Sequence, residues 1–381
     1  MEIFRPYGFD KPLFFTTLIM IAMGLIMVYS SSAILASEKH ENSFYFFINQ
    51  SIAAGIGIVL IFLMMPIRKP FFQNFYFVHG LLILSFALLV LCLLMPALAN
   101  TNRWIQFFGL RFQPSELAKI SLILFFASYF NRKKEKLNEF QTLLFPLTVL
   151  FMFILLIIKE PDYGTALLIF IICTIMLFIG GVKFKHLSYL GILFLGLFAF
   201  YLFQASYRID RVFTFLSPAK DPQGAGFQSI QSKLAVGSGG FFGVSIGEST
   251  QKLFFLPCAH TDYIYAILGE EIGFIGAIFT LFLFFVFFWR GLVISQRAPN
   301  FFSQIVAAGL TMAIFSQALL NISIVLGLGP PTGIPLPLIS FGRSSLICTL
   351  FSIGILLNIS QRRGTSRIRK SGLINQTLTD N

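Results

Sequence analysis

His260, Thr261 and Asp262 stand at the lip of an apolar run, within the stretch QKLFFLPCAHTDYIYAILGEEIG that covers residues 251–273. Glu270 and Glu271 lie inside that run. Carboxylates in a membrane span are costly unless they face protein or water, so they read first as functional groups. An aspartate held at the edge of an apolar surface is suited to take a proton from a hydroxyl. The same residue has an ordinary structural use. Pro257 marks a helix start, and Thr261 or Asp262 can cap it. From Asp262 onward, Ala266, Gly269, Gly273 and Ala277 recur at helical spacing, a small-residue stripe that lets a neighbouring helix approach closely.

Other chemically capable residues gather in four further places. Asn102, Arg103 and Trp104 precede Gln113, Pro114, Ser115 and Glu116, with Lys119 one turn later. Glu160, Pro161 and Asp162 open another apolar run, and Pro335, Pro337, Ser340 and Arg343 open the last. Each has a plain structural use as well. Ser115 and Asp162 sit where helix caps belong, Trp104 where boundary tryptophans anchor spans, and Glu116 and Lys119 at the spacing of an ion pair that neutralises itself. All of them fall on one predicted face of the membrane. Together they suit a lipid whose head carries an anionic phosphate and a sugar. Cations hold the phosphate, the indole stacks on the sugar, and a carboxylate takes the hydroxyl proton.

The elements that position these groups are membrane spans. Of 381 residues, 56% are hydrophobic and 12% charged, which excludes an ordinary soluble domain. Apolar runs predict ten spans at roughly 12–34, 46–66, 76–98, 115–131, 143–158, 163–182, 187–206, 263–289, 303–327 and 339–359. The first is too long for a cleavable signal and lacks a small-residue cleavage site. An even number puts both termini on one side. Lys and Arg concentrate there, at Lys11, Arg132, Lys133, Lys134, Lys136, Lys183, Lys185, Arg290 and Arg297 and in the tail after Ser360. Both termini are therefore expected in the cytoplasm. The net charge of +12 is then a topology signal with attraction to anionic lipid, and no nucleic-acid partner is expected.

Residues 1–360 read as one membrane domain, and 361–381 as a basic, disordered cytoplasmic tail. A large outer loop, 207–262, is too long for a simple connector. It reads either as floppy chain or, from Phe227, Ile230, Leu234 and Val236, as holding a short interfacial helix. Cys92, Cys173 and Cys348 lie in apolar runs and Cys258 in the loop, a pattern that suggests neither a disulfide nor a metal site.

Five segments in order, NRWIQFFGLRFQPSELAK, KEPDYGTALL, YRIDRVFTFLSPAKDPQGAGFQ, QKLFFLPCAHTDYIYAILGEEIG and PLPLISFGRSS, resemble the signature segments of the SEDS family of shape, elongation, division and sporulation proteins. The resemblance covers nearly the whole chain. It implies an all-α polytopic integral membrane protein with ten transmembrane helices and one large extracytoplasmic loop. The implied activity is a peptidoglycan glycosyltransferase that polymerises lipid II at the outer face of the bacterial cytoplasmic membrane. A class B penicillin-binding protein is the implied partner, alongside other division or elongation proteins. The family's essential acid falls on Asp262, its Arg-Trp pair on Arg103 and Trp104, and its Gln-Pro-Ser-Glu and Lys on Gln113 to Glu116 and Lys119. Glu160, Asp162, His260, Thr261 and Arg343 are further candidates for substrate contact.

The segments YFNRKKEKLNEF and QKLFFLPCAHTD resemble the division branch, typified by FtsW, more than RodA, although a long N-terminal tail is missing. That resemblance points to the septum. Two departures stand out: Cys258 occupies the place of a usual Glu, and Arg343 that of a usual Gly. Arg343 is expected to bind pyrophosphate or to pair with Glu116, Glu160 or Asp262. A divalent cation, Mg or Mn, would suit the chemistry, but no ligand cluster presents itself. Two rival readings are a lipid II transporter, which needs ionisable residues on a continuous path, and a non-catalytic division scaffold.

Overall fold

In hydrocarbon every backbone polar group must be satisfied within the protein, so long apolar runs close into helices. The computed structural model describes residues 8–67, 69–96, 103–107, 110–203, 215, 226–253 and 255–361. The ten predicted runs fall on helices: α1 (Lys11–His40), α2 (Tyr45–Met64), α4 (Phe75–Leu94), α5 (Pro114–Arg132), α6 (Phe140–Lys159), α7 (Tyr163–Ile179), α8 (Phe184–Phe203), α11 (Gly273–Gln296), α12 (Phe301–Val325) and α13 (Arg343–Gln361), the eighth run on α11 and a shorter helix before it. Three shorter helices join them, α3 (Lys69–Gln73), α9 (Phe227–Ser238) and α10 (Ile264–Glu271). Among the described residues, seven helices are long and apolar enough to cross a membrane: α1, α2, α4, α6, α11, α12 and α13.

Burial separates the centre of the bundle from its rim. In α13 and α12, 83% and 72% of the most apolar window is buried, against 28% in α2 and α4. The rim helices turn Ile52, Ile56 and Val59, or Ile83 and Leu84, outward. Helix α5 is buried along most of its length, and α12 packs against α5, α7 and α11. At one end of the bundle Asp10 caps α1 by accepting from Leu13 N–H at 3.1 Å. It also accepts two bonds from Arg290 of α11, at 3.1 and 2.6 Å, while its own N–H donates to Ser360 of α13. This clamp ties three helices together. Asp10 is buried while Arg290 stays partly exposed, so removing Arg290 would strand a buried carboxylate.

Several expectations are corrected here. The expected helical class stands, and what the sequence reading did not anticipate is a short antiparallel hairpin, β1 (Ile105–Phe107) and β2 (Leu110–Phe112), that pairs Ile105 with Phe112 and Gln106 with Arg111. The eighth run is not one helix but α10 and α11, broken at Ile272–Gly273, where Gly273 has φ +72. The stripe of Gly269 and Gly273 receives not a long helix but α9 and residues 241–243. The last span begins at Arg343 rather than 339.

Neither Thr261 nor Asp262 caps α10. Its N-cap is Tyr263, whose side chain makes no capping bond. Ser115 is not a cap either, because α5 starts after Gln113. Where the outer loop is described it is ordered rather than floppy, and α9 is the short helix expected from Phe227, Ile230, Leu234 and Val236. The segment 207–214, residues 216–225 and the tail 362–381 lie outside the described residues.

Candidate active site

The site lies at the bundle end opposite the Asp10–Arg290 clamp, where α6 hands over to α7 and the chain enters α10. Glu160 ends α6, and Asp162 caps α7 by accepting from Thr165 N–H at 3.3 Å. Gln113, just ahead of α5, donates to the other Asp162 oxygen at 3.0 Å. Arg103 grips the turn from outside. Its Nε donates to the Glu160 carbonyl at 3.3 Å and its Nη2 to the Pro161 carbonyl. Trp104 follows, half-buried, at the foot of β1.

Asp262 reaches the same place from the other side. Gly333, with φ +73, stands between them: a Cβ there would lie 3.5 Å from Arg103 Nη1 and 3.7 Å from Asp262 Oδ2. The positive φ favours glycine there, and both side chains approach it. The Asp262 main chain is anchored, since its carbonyl accepts from Asn321 of α12 at 2.7 Å, and Asn321 also holds the Ile334 carbonyl at 2.8 Å. Its carboxyl accepts no hydrogen bond and joins no ion pair among the described residues. Burial pushes that carboxyl up to about 6, with Arg103 pulling it down and Asp162 adding to the rise. It is thus a free base near neutral pH, positioned by its backbone and not consumed by a structural bond.

Glu160 is a different kind of carboxyl. It is fully buried, and neither oxygen finds a hydrogen-bond partner among the described residues. Burial pushes it up to about 8, Asp162 adds to this and Arg103 opposes it, so at neutral pH it is mostly protonated. Ser115 Oγ is likewise buried without a partner.

The remaining candidates form a polar seam along α5 and α12. Glu116 and Lys119 make the expected ion pair at 2.9 Å, buried on both sides. Lys119 also donates to Gln317 at 2.7 Å, and Gln317 donates to the Pro335 carbonyl at 3.0 Å. Glu116, Lys119 and Gln317 line a small cavity of about 20 Å³ together with Ile123, Leu310 and Thr349.

His260 packs its ring on Phe46 and Phe341, with centroids at 4.8 and 5.8 Å. Burial, then Lys39, lowers it to about 4, so it stays neutral and serves as packing rather than as a phosphate-binding cation. Thr261 donates to the Cys258 carbonyl at 3.1 Å, and its own carbonyl accepts from Ser340. Arg343 does not meet Glu116, Glu160 or Asp262. It donates to Asn49 of α2 at 3.2 Å, beside the bond by which Gln50 holds the Ser340 carbonyl.

Glu270 and Glu271 are structural here. The first accepts from Ser249 and from Thr250, and the second from Ser30 and Lys252 at 2.6 and 2.8 Å. The described residues offer no set of three His, Cys, Asp or Glu side chains for a divalent cation. Asp162, moreover, is already held by Gln113 and Thr165.

Sequence reasoning missed Gln317, Asn321 and Gly333. The first two were legible as a pair of amides four residues apart inside an apolar run, which places them on one helix face. Gly333 gave no signal beyond its neighbouring prolines.

The family described as "Cell cycle protein", of FtsW, RodA and SpoVE, matches residues 11–365. The chain belongs to this family. Among this family member's relatives, stage V sporulation protein E of Bacillus subtilis (strain 168) is 40% identical over 356 residues, covering 92% of this chain and 97% of the relative. A probable peptidoglycan glycosyltransferase FtsW of Geobacter sp. (strain M18) is 37% identical over 363 residues, covering 94% and 98%. Among solved structures, a chain of a peptidoglycan synthase complex that coordinates polymerization and crosslinking superposes with TM-score 0.77 at 27% identity, over 94% of this chain and 99% of that one. The family member is accordingly a polytopic helical membrane protein.

Proposed function

We propose that this chain polymerises lipid II into glycan strands at the outer face of the cytoplasmic membrane, for septal wall synthesis. The chain is a peptidoglycan glycosyltransferase of the FtsW/RodA/SpoVE family. The septal assignment rests on relatives named FtsW, in a family described as cell cycle proteins. The observation that carries the chemistry is the Asp262 carboxyl, which takes part in no cap or ion pair, has its proton affinity raised, and faces Arg103 across Gly333. Asp262 takes the proton from the acceptor sugar's 4-hydroxyl. The freed oxygen attacks the donor's anomeric carbon from the face opposite the leaving group, so the configuration inverts. The bond from that carbon to the phosphate oxygen breaks, and undecaprenyl pyrophosphate leaves. Arg103 lies where it can offset the charge that develops. Lys119 stands further along the polar seam, toward the cavity.

Two observations weigh against the rival readings. A transporter would use Glu270 and Glu271 as stations on a path, but both are sealed in structural bonds. A scaffold has no need of an unspent carboxyl at Asp262. A class B penicillin-binding protein is the proposed partner, in keeping with the structural likeness to a synthase complex. The direct test is the purified chain in proteoliposomes with lipid II, with and without such a partner. Glycan strands are expected in the complex. A folded complex that makes none would overturn the reading.

The proposed orientation, both termini cytoplasmic, follows the Lys and Arg distribution. An impermeant thiol reagent should label Glu248→Cys, in a Cys258→Ser background, on intact cells stripped of any outer membrane. Labelling only after permeabilisation would reverse the orientation.

A further inference from the structure

The described chain between α9 and α10 carries an apolar surface that the site does not use. Phe241, Phe242 and Ile246 are 60%, 78% and 59% exposed, with Val244 beside them. This surface is continuous with another. Phe241 stacks on Phe274, ring centroids 5.8 Å apart, and Phe274 opens an outward stripe on α11 that runs through Ile278, Phe282 and Phe285. Such a stripe, on a helix apolar enough to cross the membrane, faces acyl chains.

The segment is built to stay in place. The break between α10 and α11 leaves carbonyls at the end of one helix and N–H groups at the start of the next without partners in their own helices. Residues 240–245 satisfy both. Val244 and Ser245 donate to the Glu270 and Glu271 carbonyls at 3.0 and 3.1 Å, while Phe274 and Ile275 donate to the Gly240 and Phe241 carbonyls at 3.0 and 3.4 Å. A Cβ at Gly239, Gly243 or Gly273 would overlap the facing backbone. Behind the segment, the side chains of Glu270 and Glu271 are paired as described above. Non-helical backbone survives at membrane depth only when its polar groups are met in this way.

Two helices measure the depth. At about 1.5 Å per residue, α11 rises about 26 Å from Arg290 to Gly273, and α1 about 30 Å from Asp10 to Ser30, the partner of Glu271. Both lengths start at the charged clamp at the bundle's other end. Both match the roughly 30 Å hydrocarbon thickness of a bilayer. The exposed phenylalanines therefore stand at the far hydrocarbon edge, and exposed Glu248, after Gly247 with φ +95, marks the return to water.

We propose that residues 241–246 are a lipid-binding wedge. It inserts into the leaflet on the site's side, at the boundary between headgroups and acyl chains, and seats α10 and the Asp262 that precedes it. The occupant of this face is membrane lipid. Amphipathic surfaces at this depth bind through buried apolar area.

The test is Phe242→Trp in the full chain, reconstituted in proteoliposomes and read as the emission added over the parent, which carries Trp104 and Trp289. Phosphatidylcholine brominated near the headgroup end of its acyl chains should remove most of the added emission. Lipid brominated near the terminal methyl should remove little, and aqueous iodide little. Ile246→Trp gives a second reporter on the same segment if the first variant folds poorly. Strong iodide quenching without lipid quenching would place the segment in water and overturn the proposal. So would strongest quenching by the deep bromines. Protection from both quenchers only when a penicillin-binding protein is co-reconstituted would assign the face to a protein and overturn it equally. None of these readings depends on polymerisation, so they stand apart from the test of enzymatic function.

Discussion

Asp262→Asn inserts, folds and binds its partner, yet makes almost no glycan from lipid II. The structure removes the usual objection to this substitution. Tyr263, not Asp262, is the N-cap of α10 and its side chain makes no capping bond, while the Asp262 main chain is held by Asn321 whatever the side chain. Asn fits the same space and cannot accept the proton. Losing general-base catalysis typically costs about 10²–10⁴-fold. Asp262→Glu keeps the base but displaces it, and misplacement of this kind costs about 10²-fold. A companion pH profile of the parent checks the same group. The base must be deprotonated to work, so with the carboxyl raised to about 6, kcat/KM should rise with pH through that value and level off above it. A stable Asp262→Asn enzyme with near-parental polymerisation would reduce Asp262 to a structural residue and move the base to Glu116, Glu160 or Asp162.

Much of the fold was legible because hydrocarbon imposes one solution on long apolar runs. The long helices and their order follow from where the apolar runs lie. What was not legible is where backbone breaks out of that rule. The α10–α11 break depends on residues 240–245 arriving to satisfy the freed carbonyls and N–H groups, a contact between segments some thirty positions apart that no local pattern announces. Until that partner is in view, Gly269 and Gly273 look like an ordinary packing stripe. The β1–β2 hairpin was likewise hidden inside a segment read for its polar residues.

The site was legible in its residue types and not in its pairings. Asp262, Arg103, Gln113 and Asp162 converge as their chemistry suggested. Glu270 and Glu271 misled, because the cost of a carboxylate in a span is met equally well by structural donors such as Ser30, Ser249 and Lys252, and the sequence does not say which donors will arrive. The carboxylate pairing expected of Arg343 misled for a similar reason. Its partner Asn49 is a neutral amide on α2, invisible to a search for opposite charges.

Arg103 separates two things that most site residues blend, namely charge and shape. Its guanidinium fork holds the Glu160 and Pro161 carbonyls, and its charge lowers the proton affinity of Asp262. Arg103→Ala loses both. The site then loses a donor poised for developing charge, a change that typically costs about 10²–10³-fold in kcat. The Asp262 carboxyl also loses the Arg103 charge that pulls it down, so the rising limb of the pH profile should move above 6. Arg103→Lys keeps the charge but cannot reproduce the planar fork. Its pH profile should stay near the parent's while kcat falls, because the α6–α7 turn carrying Asp162 is no longer held in register with Asp262. Profiles measured on purified enzyme with lipid II distinguish the cases. If Arg103→Ala polymerises at the parental rate with an unmoved profile, Arg103 neither tunes Asp262 nor serves the reaction, and the facing of the two across Gly333 is incidental.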